Sequence, residues 1–390
     1  MKRLYLVVAL MTFLLINQFP VSVFAHGPEE DQTSLVFQKG LTYTLVTTFI
    51  LCVLFYTLFR LSQKKIKQIN HKKKEERMRR DKFRTVVKAY KWLSIFSLTV
   101  FLITGAFAIF NLQSFERAIE FQHIHGLGYT NNGEELYVPA HDGLRIFSHD
   151  EWGIAEGEKH DYMGFSIADD GFYSSGHPSP SSNLKNPFGI VKSDNMGRNL
   201  ESLDLYGEID FHNMAAGYYS HAIYVQNPEP NSRMEETGLY YTLDDTKNWE
   251  KSQMNGVSGQ PAAMAVHPTL ENIIVISTNE GVFLSKDYGN TFEILMDIAA
   301  TSLAFTEGGY LFVGTIKEEA SLIKVNINSG EETALPIPGL SEGDAISYVA
   351  INPQDSNEIV FTTFQKDIFL TRKNGKHWEQ IVTKGVATSN

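Results

Sequence analysis

Three long apolar runs lie in the first third of the chain, at 4–16, 41–61 and 92–112. The second and third are each about 20 residues long, enough for a helix to cross roughly 30 Å of hydrocarbon. We therefore predict transmembrane helices at 41–62 and 92–112. The first run follows Lys2 and Arg3 and is followed by small residues just before position 26, which is typical of a secretory signal peptide. We predict a signal peptide at 1–25, with an uncleaved first span as the alternative, and a short extracytoplasmic segment at 26–40.

From position 113 onward, short stretches of alternating apolar and polar residues are separated by Gly, Asn, Asp and Pro. This pattern predicts β-strands about every 8–12 residues, and no segment has the period of a long amphipathic helix. Positions 285–292 read SKDYGNTF and match the turn pattern S-x-D-x-G-x-T-W/F, the Asp-box. In this turn the Asp caps backbone N–H groups, the Gly takes a positive φ, and the aromatic residue packs the turn onto the sheet.

The turn pattern recurs at a regular spacing. Weaker copies start at 193, 242, 326 and 371, and a vestige starts at 148. The starts are 41 to 49 residues apart, and one four-stranded propeller blade takes about 40–50 residues. We therefore predict that 113–390 is an all-β propeller of about six blades, with each copy of the pattern between the third and fourth strands of a blade.

Charge is distributed very unevenly along the chain. The net charge is −11, but 60–91 carries 14 basic and three acidic residues, whereas 113–390 carries 17 basic and 39 acidic residues. Positively charged connections stay in the cytoplasm, so 63–91 is predicted to be a basic cytoplasmic loop and the propeller to lie outside. An acidic propeller repels phosphates, which argues against nucleic acid as a partner. The single cysteine, Cys52, excludes an intrachain disulfide framework.

Candidate chemistry is concentrated in the first three blades, since eight of the twelve histidines lie between positions 123 and 221. In a propeller, the starts of the inner strands and the loops after the second strands share one end of the channel. Aligning the repeats predicts that six side chains converge there: His123, His125, His141, Asp161, His177 and His212. His160, Glu208 and Asp210 are expected close by, and Met163 and Met214 share the inner-strand face with the polar residues.

Histidine, carboxylate and methionine together are metal-ligand chemistry. Imidazole with thioether suits copper, and imidazole with carboxylate suits zinc, so both metals remain open. The candidate ligands are His123, His125, Asp161, His177, His212, Met163 and Met214. Two other interpretations remain: the polar groups plug the channel by bonding one another, or they act as an acid/base set. For catalysis, the carboxylates to consider are Asp161, Glu208 and Asp210.

The repeats resemble the Asp-box (BNR) propellers, a group that includes sialidases, sortilin-type ectodomains and photosystem II assembly-factor-like proteins. The segments HIHGLGY (123–129), HDYMGFS (160–166), SSGHP (174–178) and DFHNM (210–214) resemble more closely a family of bacterial membrane-anchored propellers labelled sialidase-like or glycosyl-hydrolase-like. The resemblance covers about 113–390 and implies a bacterial membrane protein with an extracytoplasmic propeller.

Sialidase activity itself is not expected, because the resemblance implies an arginine triad and an Arg-Ile-Pro start. This part of the chain has no Arg-Ile-Pro, and its five arginines are Arg117, Arg145, Arg198, Arg233 and Arg372. We predict a membrane-anchored propeller that binds a metal ion, a small ligand or an envelope protein through the histidine-rich face. The alternative is a glycoside hydrolase acting on envelope or extracellular glycans, and the sequence leaves open whether the protein is an enzyme.

Overall fold

The computed structural model describes residues 30–69, 74–115, 118–316 and 318–388. The chain divides into two compact units, Met1–Arg117 and Ala118–Asn390. The predicted signal peptide at 1–25 lies outside the described residues.

The first unit contains two long helices, α1 (Glu30–Gln68) and α2 (Lys74–Phe115). The two helices contact each other, and the rings of Phe49 and Phe101 lie 5.7 Å apart. Gly40–Gln68 and Glu75–Ile109 are each long and apolar enough to cross a membrane, judged by length and composition. Most of their large apolar side chains are exposed, as expected for helices that face lipid.

Both helices extend beyond the predicted spans. The basic connection is helical at 63–68 and 74–91 instead of forming a loop along its whole length. Lys, Arg, Glu and Gln are good helix formers, so the helices continue after their apolar segments end.

The second unit is a six-bladed propeller in which each blade is an antiparallel four-stranded sheet whose strands follow chain order. The strands are β1 (Ala118–Glu120) before the first blade; β2 (Gly128–Tyr129), β3 (Leu136–Ala140), β4 (Gly143–Ser148) and β5 (Glu151–Ile154) in blade one; β6 (Asp161–Ala168), β7 (Gly171–His177), β8 (Ile190–Ser193) and β9 (Glu201–Asp204) in blade two; β10 (Met214–Ala216), β11 (Ile223–Asn227), β12 (Gly238–Thr242) and β13 (Glu250–Lys251) in blade three; β14 (Pro261–Val266), β15 (Ile274–Thr278), β16 (Val282–Ser285) and β17 (Glu293–Met296) in blade four; β18 (Ala300–Phe305), β19 (Tyr310–Ile316), β20 (Ala320–Asn326) and β21 (Glu332–Leu335) in blade five; β22 (Ile346–Ile351), β23 (Ile359–Thr363), β24 (Ile368–Thr371) and β25 (Glu379–Val382) in blade six; and β26 (Val386–Thr388) after it.

The core consists of six apolar clusters, each between two adjacent blades. The second strand of a blade contributes to the clusters on both of its sides. Val275 of β15, for example, packs toward blade five, and Ile274 and Ile276 pack toward blade three. Because successive side chains of a strand point to opposite faces, a strand between two clusters carries apolar side chains on both faces, as Ile274, Val275 and Ile276 do.

The ring closes between blades six and one. Strand β1 pairs with β26 in a separate two-stranded sheet, so 118–120 adds to neither neighbouring blade. The Trp152 Nε1–H donates to Ile381 O at 3.1 Å across the junction, and the Trp152 ring meets Phe121 edge-on at 4.8 Å. The N-terminal and C-terminal parts of the propeller are therefore joined by backbone pairing and by the Trp152 hydrogen bond.

The recurring turns connect the third and fourth strands of every blade, as predicted. In the best copy, Asp287 accepts the Thr291 N–H at 2.8 Å and the Thr291 hydroxyl at 2.7 Å. The Ser285 Oγ accepts the Gly289 N–H at 2.9 Å, and Gly289 has φ +79°. These turns lie at one end of the channel, and the inner strands begin at the other end.

Candidate functional site

The candidate site begins in blade one, where the chain approaches its inner strand. An isolated β-bridge pairs Ile124 with Ala140, so that His123 and His141 become cross-strand neighbours. Their rings lie 5.8 Å apart. His125 follows on the same side of the segment as His123, and these two rings lie 6.1 Å apart. Three histidines of blade one therefore share one end of the channel.

Blades two and three supply the carboxylates. Asp161 opens β6 and is paired in register with His177, the last residue of β7. Antiparallel partners have Cα atoms about 4.5–5.5 Å apart, so the two side chains leave the sheet side by side. Asp210 and His212 lie in the segment that leads into β10.

The first carboxylate-centred group comprises His125, His141 and Asp161 and is called the Asp161 set below. The His141 Nδ1 lies 2.8 Å from Asp161 Oδ2, and the His125 Nε2 lies 3.3 Å from Asp161 Oδ1. The Asp161 side chain is 8% exposed, and the His141 side chain is 54% exposed. Among the described residues, neither His125 Nε2 nor Asp161 Oδ1 has a hydrogen-bond partner, although both atoms are buried.

The second group comprises His177, Asp210 and His212 and is called the Asp210 set. His177 Nε2 and His212 Nδ1 each lie 3.2 Å from the same oxygen, Asp210 Oδ2. The Asp210 side chain is 11% exposed. Within the described part of the chain, both Asp210 oxygens are buried without a hydrogen-bond partner.

Two residues that the sequence did not single out position the Asp210 set. The Ser175 Oγ accepts the Phe211 N–H at 2.9 Å and donates to Gly189 O at 2.7 Å, which ties the segment beside Asp210 to blade two. The Asn186 Oδ1 lies 2.7 Å from His177 Nδ1. The only sequence signal at position 186 is an Asn-Pro pair, which marks a turn and carries no chemistry of its own.

The two sets influence each other electrostatically. Burial lowers the pKa of His125, and its histidine neighbours, including His212 of the other set, lower it further against the opposing attraction of Asp161. Burial also raises the pKa of Asp210, and the Asp161 carboxylate adds to this effect against the attraction of His212 and His177. His125 is thus favoured as the neutral imidazole, the form that ligates metals.

A cavity of about 600 Å³ runs along the channel beside the two sets. His123, His125 and His212 line it from blades one and three. The other blades contribute small side chains at the equivalent inner-strand positions, including Ala262 and Thr301. The polar cluster therefore lies on one side of an open channel.

Several other predicted neighbours are engaged elsewhere. His160 is buried, and its Nδ1 accepts the Ser179 N–H at 2.9 Å. Glu208 is exposed and accepts two hydrogen bonds from Ser232, at 3.1 Å from the N–H and 2.9 Å from the hydroxyl. Met214 packs in the apolar cluster between blades two and three, and Met163 is half-buried.

Two groups of three bring their potential metal-binding atoms within 4.8 Å of one another among the described residues. One is the Asp161 set. The other comprises Asp169, Asp170 and His221, where His221 Nε2 lies 2.6 Å from Asp169 Oδ1. The Lys192 ammonium lies 3.0 Å from Asp170 Oδ2 and already neutralises part of this second group.

The arginines of the propeller do not converge on the channel. Arg145 is buried and donates to Glu120 O at 3.1 Å. The other described arginines of the propeller pair with acidic side chains: Arg198 with Glu156, Arg233 with Asp204, and Arg372 with Asp150 and Glu358. Arg117 lies outside the described residues. No described arginine lines the cavity.

No protein-family model and no curated protein matches the chain. Among solved structures it is similar to a GH74 enzyme from Niastella koreensis, with 13% identity and a TM-score of 0.45 over 67% of this chain and 46% of that one. It is also similar to YCF48 bound to a D1 peptide, with 15% identity and a TM-score of 0.40 over 67% of this chain and 84% of that one. YCF48 from Cyanidioschyzon merolae has 11% identity and a TM-score of 0.40 over 68% of this chain and 88% of that one. The chain spans less than half the length of the GH74 enzyme.

Proposed function

We propose that this protein is a membrane-anchored propeller that binds a divalent transition-metal ion through His125, His141 and Asp161. One observation carries the proposal: His125 Nε2 and Asp161 Oδ1 are buried, 3.3 Å apart, and without a hydrogen-bond partner among the described residues. A hydrogen-bonded channel plug would satisfy both atoms, because leaving a buried polar atom unpaired costs about 1–3 kcal/mol.

The spacing of the Asp161 set suits metal coordination. Two ligand atoms that each lie about 2.1 Å from a tetrahedral ion are about 3.4 Å from one another. The distance of 3.3 Å from His125 Nε2 to Asp161 Oδ1 matches this value. The distance of 2.8 Å from His141 Nδ1 to Asp161 Oδ2 would have to lengthen only slightly to admit an ion. A carboxylate between two imidazoles supports a bound cation here.

The donor set favours zinc over copper. Two imidazoles and one carboxylate are typical of catalytic zinc sites, in which a fourth position stays open for water or substrate. Copper would be favoured by a thioether, but Met214 packs among apolar side chains. The exposed His141 provides a path by which an ion can enter from solvent.

The test is the metal content of the full chain, purified in detergent, loaded with zinc or copper and dialysed. We expect zinc to be retained by the wild type and lost from His141→Ala, whose exposed side chain makes misfolding a poor explanation for the loss. His377→Ala is the matched control, since His377 is exposed and lies in a turn of blade six. Equal zinc retention in the His141→Ala and wild-type proteins would refute the proposal.

We further propose that the propeller lies on the extracytoplasmic side of a bacterial membrane. The observation that supports this orientation is the basic segment 60–91, which carries 14 basic residues and connects the two apolar segments. Cys52 is the only cysteine, so labelling can be made specific in a Cys52→Ser background. We expect an impermeant maleimide to label Ser329→Cys in intact cells and Met78→Cys only after permeabilisation, and the reverse pattern would overturn the orientation.

A second candidate function is glycoside hydrolysis, favoured by the raised pKa of the buried Asp210 carboxyl. A carboxyl that holds its proton can act as a general acid while a nearby carboxylate acts as base or nucleophile. Asp161 is the carboxylate available for that role, and Glu208 is not, because Ser232 occupies it. The test is release of reducing sugar from cell-wall and extracellular polysaccharides. Activity that survives chelation and is lost in Asp210→Asn would favour the hydrolase over the metal-binding propeller.

A further inference from the structure

We infer that the channel binds a small organic anion, whose charged group contacts the Lys366 ammonium and whose apolar part lies deeper in the cavity. This inference goes beyond the proposed metal position. It depends on the cavity and on Lys366, and it does not require an ion.

The first argument is that the cavity wall differs in charge from the rest of the propeller. Segment 113–390 carries 39 acidic and 17 basic residues, yet within the described part of the chain no acidic residue lines the cavity. Its basic and imidazole side chains are Lys366, His123, His125 and His212. Asp161 and Asp210 are nearly buried and do not line it. A cleft lined by charge of one sign concentrates ligands of the opposite sign, so this cavity favours anions.

The second argument is that the Lys366 ammonium is available to a ligand. Lys366 is half-buried, and among the described residues its ammonium has no ion pair and no hydrogen bond. The two nearest carboxylates in the sequence bond to the backbone instead: Asp344 accepts the Gln365 N–H at 3.1 Å, and Asp367 accepts the Lys384 N–H at 2.6 Å. Charges removed from water are usually paired, so an unpaired ammonium on a cavity wall is a place for an anionic group.

The third argument is the position of Lys366 at the end of the channel where the histidines lie. The Gly385 N–H donates to Lys366 O at 2.9 Å, and the Phe121 N–H donates to Gly385 O at 2.8 Å, which places Lys366 beside the segment that leads to His123. Lys366 follows the second strand of blade six, as His141 follows the second strand of blade one. A histidine provides at least one N–H donor, so His123 can bind the same anionic group.

Deeper in the channel the wall is largely apolar. Side chains from four blades line it there, including Leu127, Phe165, Met264 and Val349. Toward the far end, the Tyr218 hydroxyl donates to Tyr129 O at 3.1 Å and bridges blades three and one. Phe364 lines the cavity beside Lys366 and is 65% exposed, so its ring can pack against a flat apolar ligand. A cavity of about 600 Å³ has the size of a small-molecule site.

The backbone of Lys366 allows binding to be separated from folding. Lys366 has φ +67°, in the left-handed region that glycine adopts more easily. Lys366→Gly therefore removes the ammonium without straining the loop. Lys384 is the matched control, because it also has a positive φ, +47°, but is exposed and does not line the cavity.

The experiment measures binding of 4-fluorobenzoate by fluorine NMR line broadening. The full chain is purified in detergent and stripped of metal on a chelating resin, and empty micelles serve as the blank. We expect saturable binding to the wild type and to Lys384→Gly, and binding about 10- to 100-fold weaker to Lys366→Gly, because a hydrogen bond between charged groups is lost. The neutral analogue 4-fluorobenzamide should bind the wild type more weakly than 4-fluorobenzoate by a similar factor.

Three results would overturn the inference. The first is the absence of saturable binding to the wild type. The second is equal binding of 4-fluorobenzoate to Lys366→Gly and the wild type, or of the acid and the amide to the wild type, because the ammonium then contributes nothing. The third is inorganic phosphate that displaces the probe at the concentration at which 4-fluorobenzoate itself binds, because the apolar part then contributes nothing.

The outcomes are distinguishable from those of the proposed function. The protein is free of metal in this experiment, so binding that depends on Lys366 supports the inference even if zinc is not retained. Zinc that is retained through His141, without binding that depends on Lys366, leaves the proposed function standing and overturns this inference.

Discussion

Asp161→Asn should make the metal-free protein more stable than the wild type and the zinc-loaded protein less stable. The Asp161 carboxylate lies between His125 and His141, and its Oδ1 and the His125 Nε2 are unpaired within the described part of the chain. An asparagine amide of the same size could accept from His141 Nδ1 and donate to a neutral His125 Nε2. Burial lowers the pKa of His125, which favours that neutral form.

The magnitude follows from these two unpaired atoms. Satisfying a buried polar atom is worth about 1–3 kcal/mol, and removing an uncompensated buried charge acts in the same direction. For domains of roughly 150–250 residues, 1 kcal/mol moves Tm by about 2–4 °C, so the variant should melt about 2–12 °C higher without metal. Zinc at about 1,000 times its Kd would stabilise the wild type by about 4.1 kcal/mol and the variant by little. This exceeds the gain of about 1–3 kcal/mol in the variant and reverses the order.

The assay is thermal unfolding of the full chain in detergent, followed by near-ultraviolet circular dichroism with a chelator and then with excess zinc. Asp194→Asn is the matched control, because Asp194 is exposed and lies in the turn between β8 and β9. If Asp161→Asn melts below the wild type in chelator, the carboxylate is already satisfied without metal and the reasoning fails. An equal rise in Tm on adding zinc to the two proteins would also contradict the reasoning, because zinc would then bind without the Asp161 carboxylate.

Three further predictions concern the fold. Burial keeps the pKa of His160 below its ordinary value of 6.5. The unfolded chain therefore binds more protons at this residue, and the free energy of unfolding falls as the pH drops below about 6.5. In urea titrations between about pH 8 and pH 5, the free energy of unfolding of His160→Gln should fall less than that of the wild type. Trp152→Phe removes the hydrogen bond to Ile381 O and should lower the free energy of unfolding by about 1–2 kcal/mol, whereas an unchanged value would mean that the bond does not help to close the ring. Asp287→Ala removes both bonds to Thr291 and should lower it by about 1 kcal/mol, with Asp194→Asn as the unaffected comparison.

The six blades could be predicted because the turn pattern depends on short-range chemistry. In the copy at Ser285, Asp287 and Gly289, all the groups that define the turn lie within seven residues of one another, so a single sequence carries the signal. Counting the copies then gives the number of blades. The pairing of β1 with β26 could not be predicted in this way, because it joins segments more than 260 residues apart and neither strand has a distinctive pattern.

The convergence of the histidines could be predicted from the phase of the repeats, but their grouping could not. The phase of the repeats places His125 and Asp161 at one end of the channel, but it does not determine which of their atoms contact each other. Whether the His177 side chain contacts Asp161, its partner in the sheet, or Asp210 depends on side-chain rotamers. His160 shows the same limit, because it directly precedes Asp161 in the sequence and yet is buried against Tyr162 and Phe188.

The asymmetry of the channel bears on what the cluster does. A plug would be expected to cross the channel and bond to the opposite wall, but at the inner-strand positions equivalent to His125 blades four to six present the small side chains of Ala262, Thr301 and Ser347. The cavity of about 600 Å³ therefore remains open beside the polar cluster. His125, a ligand of the proposed metal position, also lines this cavity. The open coordination position of the ion would then face a space large enough for a small molecule, where a metal can polarise a bound carbonyl, phosphoryl group or water.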